Sequence, residues 1–420
     1  MTEKIKIFTL SDHPLSPSGV GTQTRYVLEG LLKTGKYKVV SFGGAIKHEN
    51  YQPVKTEEFK DDWVIYPVNG YGNQDMVRSV LRAERPDVVW IMTDPRFWGW
   101  FWSIENEIRP FAPIIYYHVW DNYPPPTYNK PYYESNDVIA TISKVTHDVV
   151  KKVAPDVENI YLPHAVNTEI FKRHSEEHVQ AFKESNFGDQ IKDKMVFFWN
   201  NRNARRKQSG SLIFWFKKFL DIVGHDKACL IMHTAVNDPH GQDLHAIIKH
   251  LDMADNQVLF SQKKISQADL AMFYNIADCT VNISDAEGFG LSTLESLACE
   301  TPIIATMTGG LQEQVTDGKE WFGIGIEPTS RAIIGSQDIP WIYEDRLSEE
   351  IVVKALLEIY NKSEGERREL GKMGRSHVLK NYNFEKFTKQ WNELFTKVHE
   401  DNGSWSTRKN YKSWTLREVK

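Results

Sequence analysis

Two carboxylates bracket a glycine-rich stretch in Glu287-Gly-Phe-Gly-Leu-Ser-Thr-Leu-Glu295. If a helix begins near Gly290, Glu287 lies in the loop before it and Glu295 on its second turn, while Gly288 and Gly290 let the backbone approach a ligand closely. The amides of Phe289, Gly290 and Leu291 then point out of a helix N-terminus, where they could hold a phosphate. Spacing alone supports an N-capping acid followed by a surface-helix glutamate equally well. A second glycine pair, Gly19-Val-Gly21, follows the first apolar run and opens a helical pattern. A dinucleotide site would use such a pair. Here, however, the third glycine position is Thr24, and the second strand ends Val39-Val-Ser-Phe-Gly-Gly44 without an acid to hold a ribose.

The elements that must carry these loops repeat along the chain. Apolar runs at residues 5–10, 38–42, 88–92, 114–118 and 138–142 read as buried strands, with helical patterns at 23–33, 74–84 and 143–153 among them. A polar, charged stretch spans 167–194, after which strand patterns restart at 195–199, 228–233, 257–260, 279–283 and 302–305. Alternation of this kind predicts parallel sheets covered by helices, and the restart predicts a second α/β domain. Residues 347–398 read as mostly helical, followed by a basic tail with Trp405 and Trp414. In doubly wound domains ligands sit at the carboxyl ends of the strands, so the loops after strands are the places to look.

Residues 278–318, centred on EGFGLSTLESLACETPIIATMTGGLQEQVTDG, resemble the nucleotide-sugar site of the retaining GT-B glycosyltransferases of glycosyltransferase family four, the group 1 glycosyl transferases. Further features agree in order: the loop Pro17-Ser-Gly-Val-Gly21, His118 after a central strand, Arg202 and Lys207 after the first strand of the second domain, and Gly309-Gly310 before Glu313. Two departures stand out. The paired glycine of the first loop is Ser18-Gly19, and the glycine usual before the Thr-Pro step is Glu300. The resemblance implies an α/β chain of GT-B fold, two doubly wound Rossmann-like domains facing a central cleft. Residues 1–180 would form the N-terminal acceptor domain and 190–384 the C-terminal donor domain, with a helix at about 385–420 packing back on the first.

It also implies roles for individual residues. Arg202 and Lys207 would neutralise the departing nucleoside diphosphate, work that a guanidinium fork and an ammonium do without a metal. Gly19 would bring backbone amides to the distal phosphate. His118 would hydrogen-bond the transferred sugar or the acceptor side, Glu287 would bind sugar hydroxyls beside a cationic anomeric carbon, and Glu295 would accept from the ribose. Glu313 is either a secondary contact or a helix-surface residue. The implied chemistry is front-face transfer from a nucleotide sugar, UDP-linked by preference, with no metal and no cofactor. A non-catalytic nucleotide-sugar binding protein is the rival from another class; the intact charged positions argue against it.

The acceptor is less defined. Residues 90–133 are dense in aromatics, among them Trp98, Trp100, Trp102, Trp120, Tyr128 and Tyr132, and such side chains either line an acceptor cleft or pack a core. Trp120 and Asp121, just past His118, are candidate acceptor contacts. A glycan or other carbohydrate is the favoured acceptor. A hydroxymethylated DNA base, as in phage-type DNA modification, is the alternative. The basic run Arg202, Arg205, Arg206 and Lys207 and the tail residues Arg408, Lys409, Lys412, Arg417 and Lys420 would serve that alternative. Against it, 51 Lys and Arg face 56 Asp and Glu, a net charge of −5 that excludes a chain-wide basic surface. Cys229, Cys279 and Cys299 sit in apolar stretches at no metal-binding spacing and read as buried thiols. The chain enters a strand pattern almost at once and its most apolar run is far too short to span a bilayer, so a cytoplasmic protein without membrane insertion is expected.

Overall fold

The computed structural model describes residues 4–411; Lys412, Trp414, Arg417 and Lys420 of the basic tail lie outside them. The described residues divide into two compact units. One is drawn from Met1–Ala165, Ser336–Pro340 and Phe384–Lys420, the other from Val166–Gly335 and Trp341–Asn383.

The first unit is built on eight strands, β1 (Ile5–Asp12), β2 (Tyr37–Gly44), β3 (Val54–Lys55), β4 (Trp63–Pro67), β5 (Val88–Thr93), β6 (Ile114–His118), β7 (Val138–Thr141) and β8 (Glu158–Tyr161). Their order is β3-β4-β2-β1-β5-β6-β7-β8, parallel except for β3. Ile7 of β1 stands opposite Val39 on one side and Val88 on the other. Every residue of β5 and β6 is buried, as continuous apolar runs covered on both faces require. The helix Phe384–Asn402 belongs to this unit. Its Trp391 is fully buried, 4.8 Å from the ring of Tyr117 and 6.0 Å from that of Trp90, and Tyr37 donates to the Asn392 side chain at 3.0 Å.

The second unit has six strands, β9 (Met195–Asn200), β10 (Ala228–His233), β11 (Val258–Ser261), β12 (Cys279–Asn282), β13 (Ile303–Thr306) and β14 (Gly323–Ile326), all parallel in the order β11-β10-β9-β12-β13-β14. The chain winds outward through β9, β10 and β11, then returns to the far side of β9 with β12. Neighbours β9 and β12 therefore mark the point where winding reverses, and the loops beyond their carboxyl ends diverge to leave room for a ligand. A separate antiparallel pair, β15 (Ser330–Ile334) and β16 (Ile342–Arg346), follows β14. The polar stretch before β9 holds the helix Glu176–Phe187. All three cysteines are buried and unpaired. Among the described residues no helix is long and apolar enough to cross a membrane.

Candidate active site

Both loops at the reversal point of the second sheet carry charge. After β9 the chain makes a single 3-10 turn, Arg205–Lys207, before the helix Ser209–Val223. After β12 it runs through Asp285 and Glu287 to Gly290, which caps the helix Leu291–Ala298. Gly290 sits at φ 93°, a left-handed conformation, and a Cβ there would come within 2.4 Å of the Leu311 side chain, so only glycine fits the junction.

These two loops meet at Lys207 and Glu287. The ammonium donates to the Glu287 carboxylate, and the two side chains are only 10% and 12% exposed. Arg206 donates to the Ala286 carbonyl and stands 3.9 Å from the same carboxylate. Burial pushes the Glu287 carboxyl up, but Lys207 and Arg206 outweigh it and hold the group below the ordinary carboxylate range. Glu287 is thus an anion between two cations. Beside it, Phe289 is buried with its ring 5.9 Å from that of Tyr382, and Leu291 opens the helix half-buried.

Arg202 takes a different course. Its guanidinium donates twice to Asp238, at 2.7 and 3.0 Å, and is 60% exposed. A bidentate carboxylate satisfies the fork that a diphosphate was expected to fill, and Arg206 is the guanidinium found beside Glu287. Glu295, on the second turn of its helix, accepts from the Tyr274 hydroxyl at 2.8 Å, which in turn receives the Asn200 amide at 2.9 Å. Burial raises its carboxyl to about 7. Glu313 is buried, not on a helix surface, and its carbonyl accepts from His377 and Tyr382.

Sequence reasoning missed a second layer. Asp285 receives Gln208 and Arg346 at 2.7 Å each, and its carbonyl accepts from the Asp345 amide at 2.8 Å. Arg346 and Arg205 both hold Glu344. The β15-β16 pair is therefore tied by buried carboxylates to the loops bearing Lys207 and Glu287. Burial raises the Asp285 carboxyl to about 6. No motif announces these ties, since Glu344 and Arg346 lie far along the chain in a segment of unremarkable composition.

In the first unit, Gly19 begins the helix Gly19–Lys33 in an ordinary helical conformation, with Ser18 capping Gly21 and donating to Asp12 at 2.7 Å. His118, at the end of β6, is fully buried. Tyr116 donates its hydroxyl to the Thr93 carbonyl, which leaves its oxygen to accept His118 Nδ1–H at 2.9 Å; Nε2 then accepts from Tyr133 at 2.8 Å. Burial pushes the imidazole down to about 3, so the ring is neutral. Both ring nitrogens are engaged by tyrosines where a sugar contact was expected. Trp120 is also buried, its indole donating to the Asn122 carbonyl, and Asp121 is half-exposed. Most aromatics of residues 90–133 are core: Trp98, Trp102, Tyr116 and Tyr133 pack in one cluster. Of the basic tail, Arg408 is turned inward against Asp137 with 5% exposure.

Two doubly wound sheets, the second ordered 3-2-1-4-5-6 and the first containing that parallel order with a further strand at each edge, give the chain the GT-B fold. The whole-chain likeness agrees: sucrose-phosphate synthase from Thermosynechococcus elongatus superposes with a TM-score of 0.75 at 17% identity, over 94% of this chain and 100% of that one. The structure of Anabaena Alr3699/HepE in complex with UDP and glucose gives a TM-score of 0.68 at 14% identity, over 94% and 100%. Residues 192–355 match the family model described as glycosyl transferases group 1. A D-inositol 3-phosphate glycosyltransferase 2 of Catenulispora acidiphila is 41% identical over 76 residues, 18% of this chain and 17% of the relative. An N-acetyl-alpha-D-glucosaminyl L-malate synthase of Bacillus anthracis is 25% identical over 275 residues, 64% of this chain and 61% of the relative. The chain thus matches less than two thirds of the length of these curated relatives.

Proposed function

We propose that this chain is a retaining, metal-independent glycosyltransferase that moves a hexosyl or pentosyl group from a UDP-sugar to an acceptor hydroxyl. The observation that carries the reading is the Arg206–Lys207–Glu287 cluster at the reversal point of the second sheet, two cations and a carboxylate drawn from adjacent loops. In this reading the diphosphate of the donor lies against Lys207 and Arg206 and the amides of Phe289, Gly290 and Leu291, where preset charge meets the negative charge that builds on the leaving group. Glu287, kept ionised by its neighbours, faces the sugar and stabilises positive charge at the anomeric carbon. Glu295 takes the ribose hydroxyls.

In the transfer step the bond from anomeric carbon to phosphate oxygen breaks and its electron pair stays on the diphosphate. The acceptor oxygen bonds to the same face of that carbon, and its proton passes to a phosphate oxygen. His118 acts as a positioning residue, fixing Tyr116 and Tyr133 at the end of β6. The names of the relatives carry D-inositol 3-phosphate and L-malate; both are small hydroxylated anions, and we extend that acceptor class to this chain in place of a glycan.

The test is a thermal-shift series with UDP, GDP and ADP, then donor turnover by wild type and Glu287→Gln. UDP should give the largest shift in both proteins, while turnover by the variant should fall by roughly 100-fold, the size of one lost transition-state contact. Undiminished turnover in Glu287→Gln would overturn the assignment.

A further inference from the structure

The groups described above lie at the carboxyl ends of the second sheet. At the amino ends is a cavity of about 280 Å³, walled by the helices Glu176–Phe187 and Glu364–Asn381 and by the residues leading into β9, β12 and β13. Its wall carries six cations: Arg173, Lys183, Lys194, Arg367, Arg368 and Lys372. Four acids accompany them, and their charge is already committed. Glu176 serves both Arg173 and Arg368, at 2.5 and 2.7 Å, and Glu364 also serves Arg368. Asp278 divides its carboxylate between Arg367 and the Val196 amide, at 3.2 and 2.9 Å, while Glu300 lies 3.9 Å from Arg375, outside the cavity wall.

What remains is donor capacity without acceptors. Lys194 is 8% exposed, and among the described residues the one hydrogen bond its ammonium makes is to the Asn256 carbonyl, at 2.9 Å, leaving two of its three donors without an acceptor there. Arg367 Nε is buried with no acceptor among the described residues. A buried charged donor left unsatisfied is costly, and structures keep such groups where something else completes them. Lys183 and Lys372 have no carboxylate within ion-pairing distance among the described residues, so the cavity has a surplus of positive charge.

We propose that this cavity is a second binding site, for a small phosphate, inorganic or carried on a compact metabolite. Guanidinium forks and ammonium groups suit a phosphoryl group, which brings more charge and more acceptor oxygens to a surplus of cations than a single carboxylate does. The volume lies at the small end of ligand pockets. A bound phosphate would bridge the two helices of the wall, and because it would bind the folded state alone, it would stabilise the second unit. The site is independent of the donor reading.

The experiment is thermal melting and calorimetric titration of the full chain with inorganic pyrophosphate and, in a second arm, a hexose monophosphate; sulfate at equal ionic strength is the control. Wild type should show a saturable stabilisation that persists when saturating UDP is present. Lys194→Met should weaken it about tenfold, the loss expected of one charge-assisted contact. The double variant Lys183→Ala/Lys372→Ala, altered only at side chains outside the buried core, should weaken it severalfold. Binding in the pyrophosphate arm assigns the site to inorganic phosphates, and binding in the hexose arm alone assigns it to a phosphorylated metabolite. An equal response to sulfate, loss of binding when saturating UDP is present, or undiminished binding in both cavity variants would overturn the proposal.

Discussion

Lys207 and Glu287 are both largely withdrawn from water, so each is the other's main compensation. Removing one partner of such a pair leaves a buried charge uncompensated, at about 3–5 kcal/mol. Lys207→Met is expected to destabilise the second unit by a loss of that order, read by urea unfolding, whereas Lys207→Met/Glu287→Leu should recover much of it while remaining inactive. Additive losses in the double variant would argue against coupling between the two. Glu295 gives a pH prediction. Its carboxyl is raised in the folded chain to about 7, so the folded state binds more protons than the unfolded state between the ordinary carboxyl range and neutrality. Stability contributed by this group is present at acid pH and falls as pH rises toward 7. Unfolding at pH 5 and pH 8 should show a smaller decline in Glu295→Gln than in wild type. At this scale the sequence singled out Lys207 and Glu287, and the structure sets them in contact. It passed over Arg206, because in a run of four cations spacing cannot tell which ones face inward. The 3-10 turn decides that, directing Arg205 to Glu344 and Arg206 and Lys207 toward Glu287.

Elements decide how firmly that pair is held. The loop after β12 must turn from strand to helix at a left-handed residue, and the β15-β16 pair clamps its start through Asp285. Gly290→Ala forces a side chain into both an unfavourable φ and the Leu311 contact, so a loss of ~1–3 kcal/mol is expected in urea unfolding. Arg346→Met strips a cation from both Asp285 and Glu344, which are 2% and 3% exposed. The resulting repulsion should lower nucleotide affinity severalfold in titration without any contact between Arg346 and the nucleotide; unchanged affinity would make the clamp irrelevant to the site. The strands that sequence reading found were the long apolar ones, such as β5 and β6, whose burial on both faces leaves an unbroken signature. Those it missed have physical excuses. β8 is an edge strand with no fully buried residue, and in β14 the pattern Gly-Ile-Gly-Ile reads as a turn. Gly323 is there because a Cβ would come within 1.9 Å of the Ile303 carbonyl, a constraint visible only once β13 is alongside.

At the level of the whole molecule, the restart of strand patterns at residue 195 made two α/β sheets legible, since each half repeats the same alternation. Sequence pattern alone did not reach the cation-lined cavity, whose basic residues come from segments separated by most of the second unit. The helix Phe384–Asn402 is the long-range piece of the first unit. Trp391 fills the space beside Trp90 and Tyr117, and deleting so large a buried side chain costs ~3–5 kcal/mol. A fragment of residues 1–165 is accordingly expected to bind hydrophobic dye and melt without cooperativity, and to regain a sharp transition when a peptide of residues 384–411 is added. A cooperative transition for the fragment alone would show that the helix is dispensable.

That arrangement bears on how the chain emerges during synthesis. Ribosomes add roughly 5–20 residues per second, and an entire second unit is translated between Ala165 and Phe384. For on the order of tens of seconds the nascent first sheet would present Trp90 and Tyr117 bare to the crowded cell, a standing invitation to chaperones until its last helix leaves the exit tunnel.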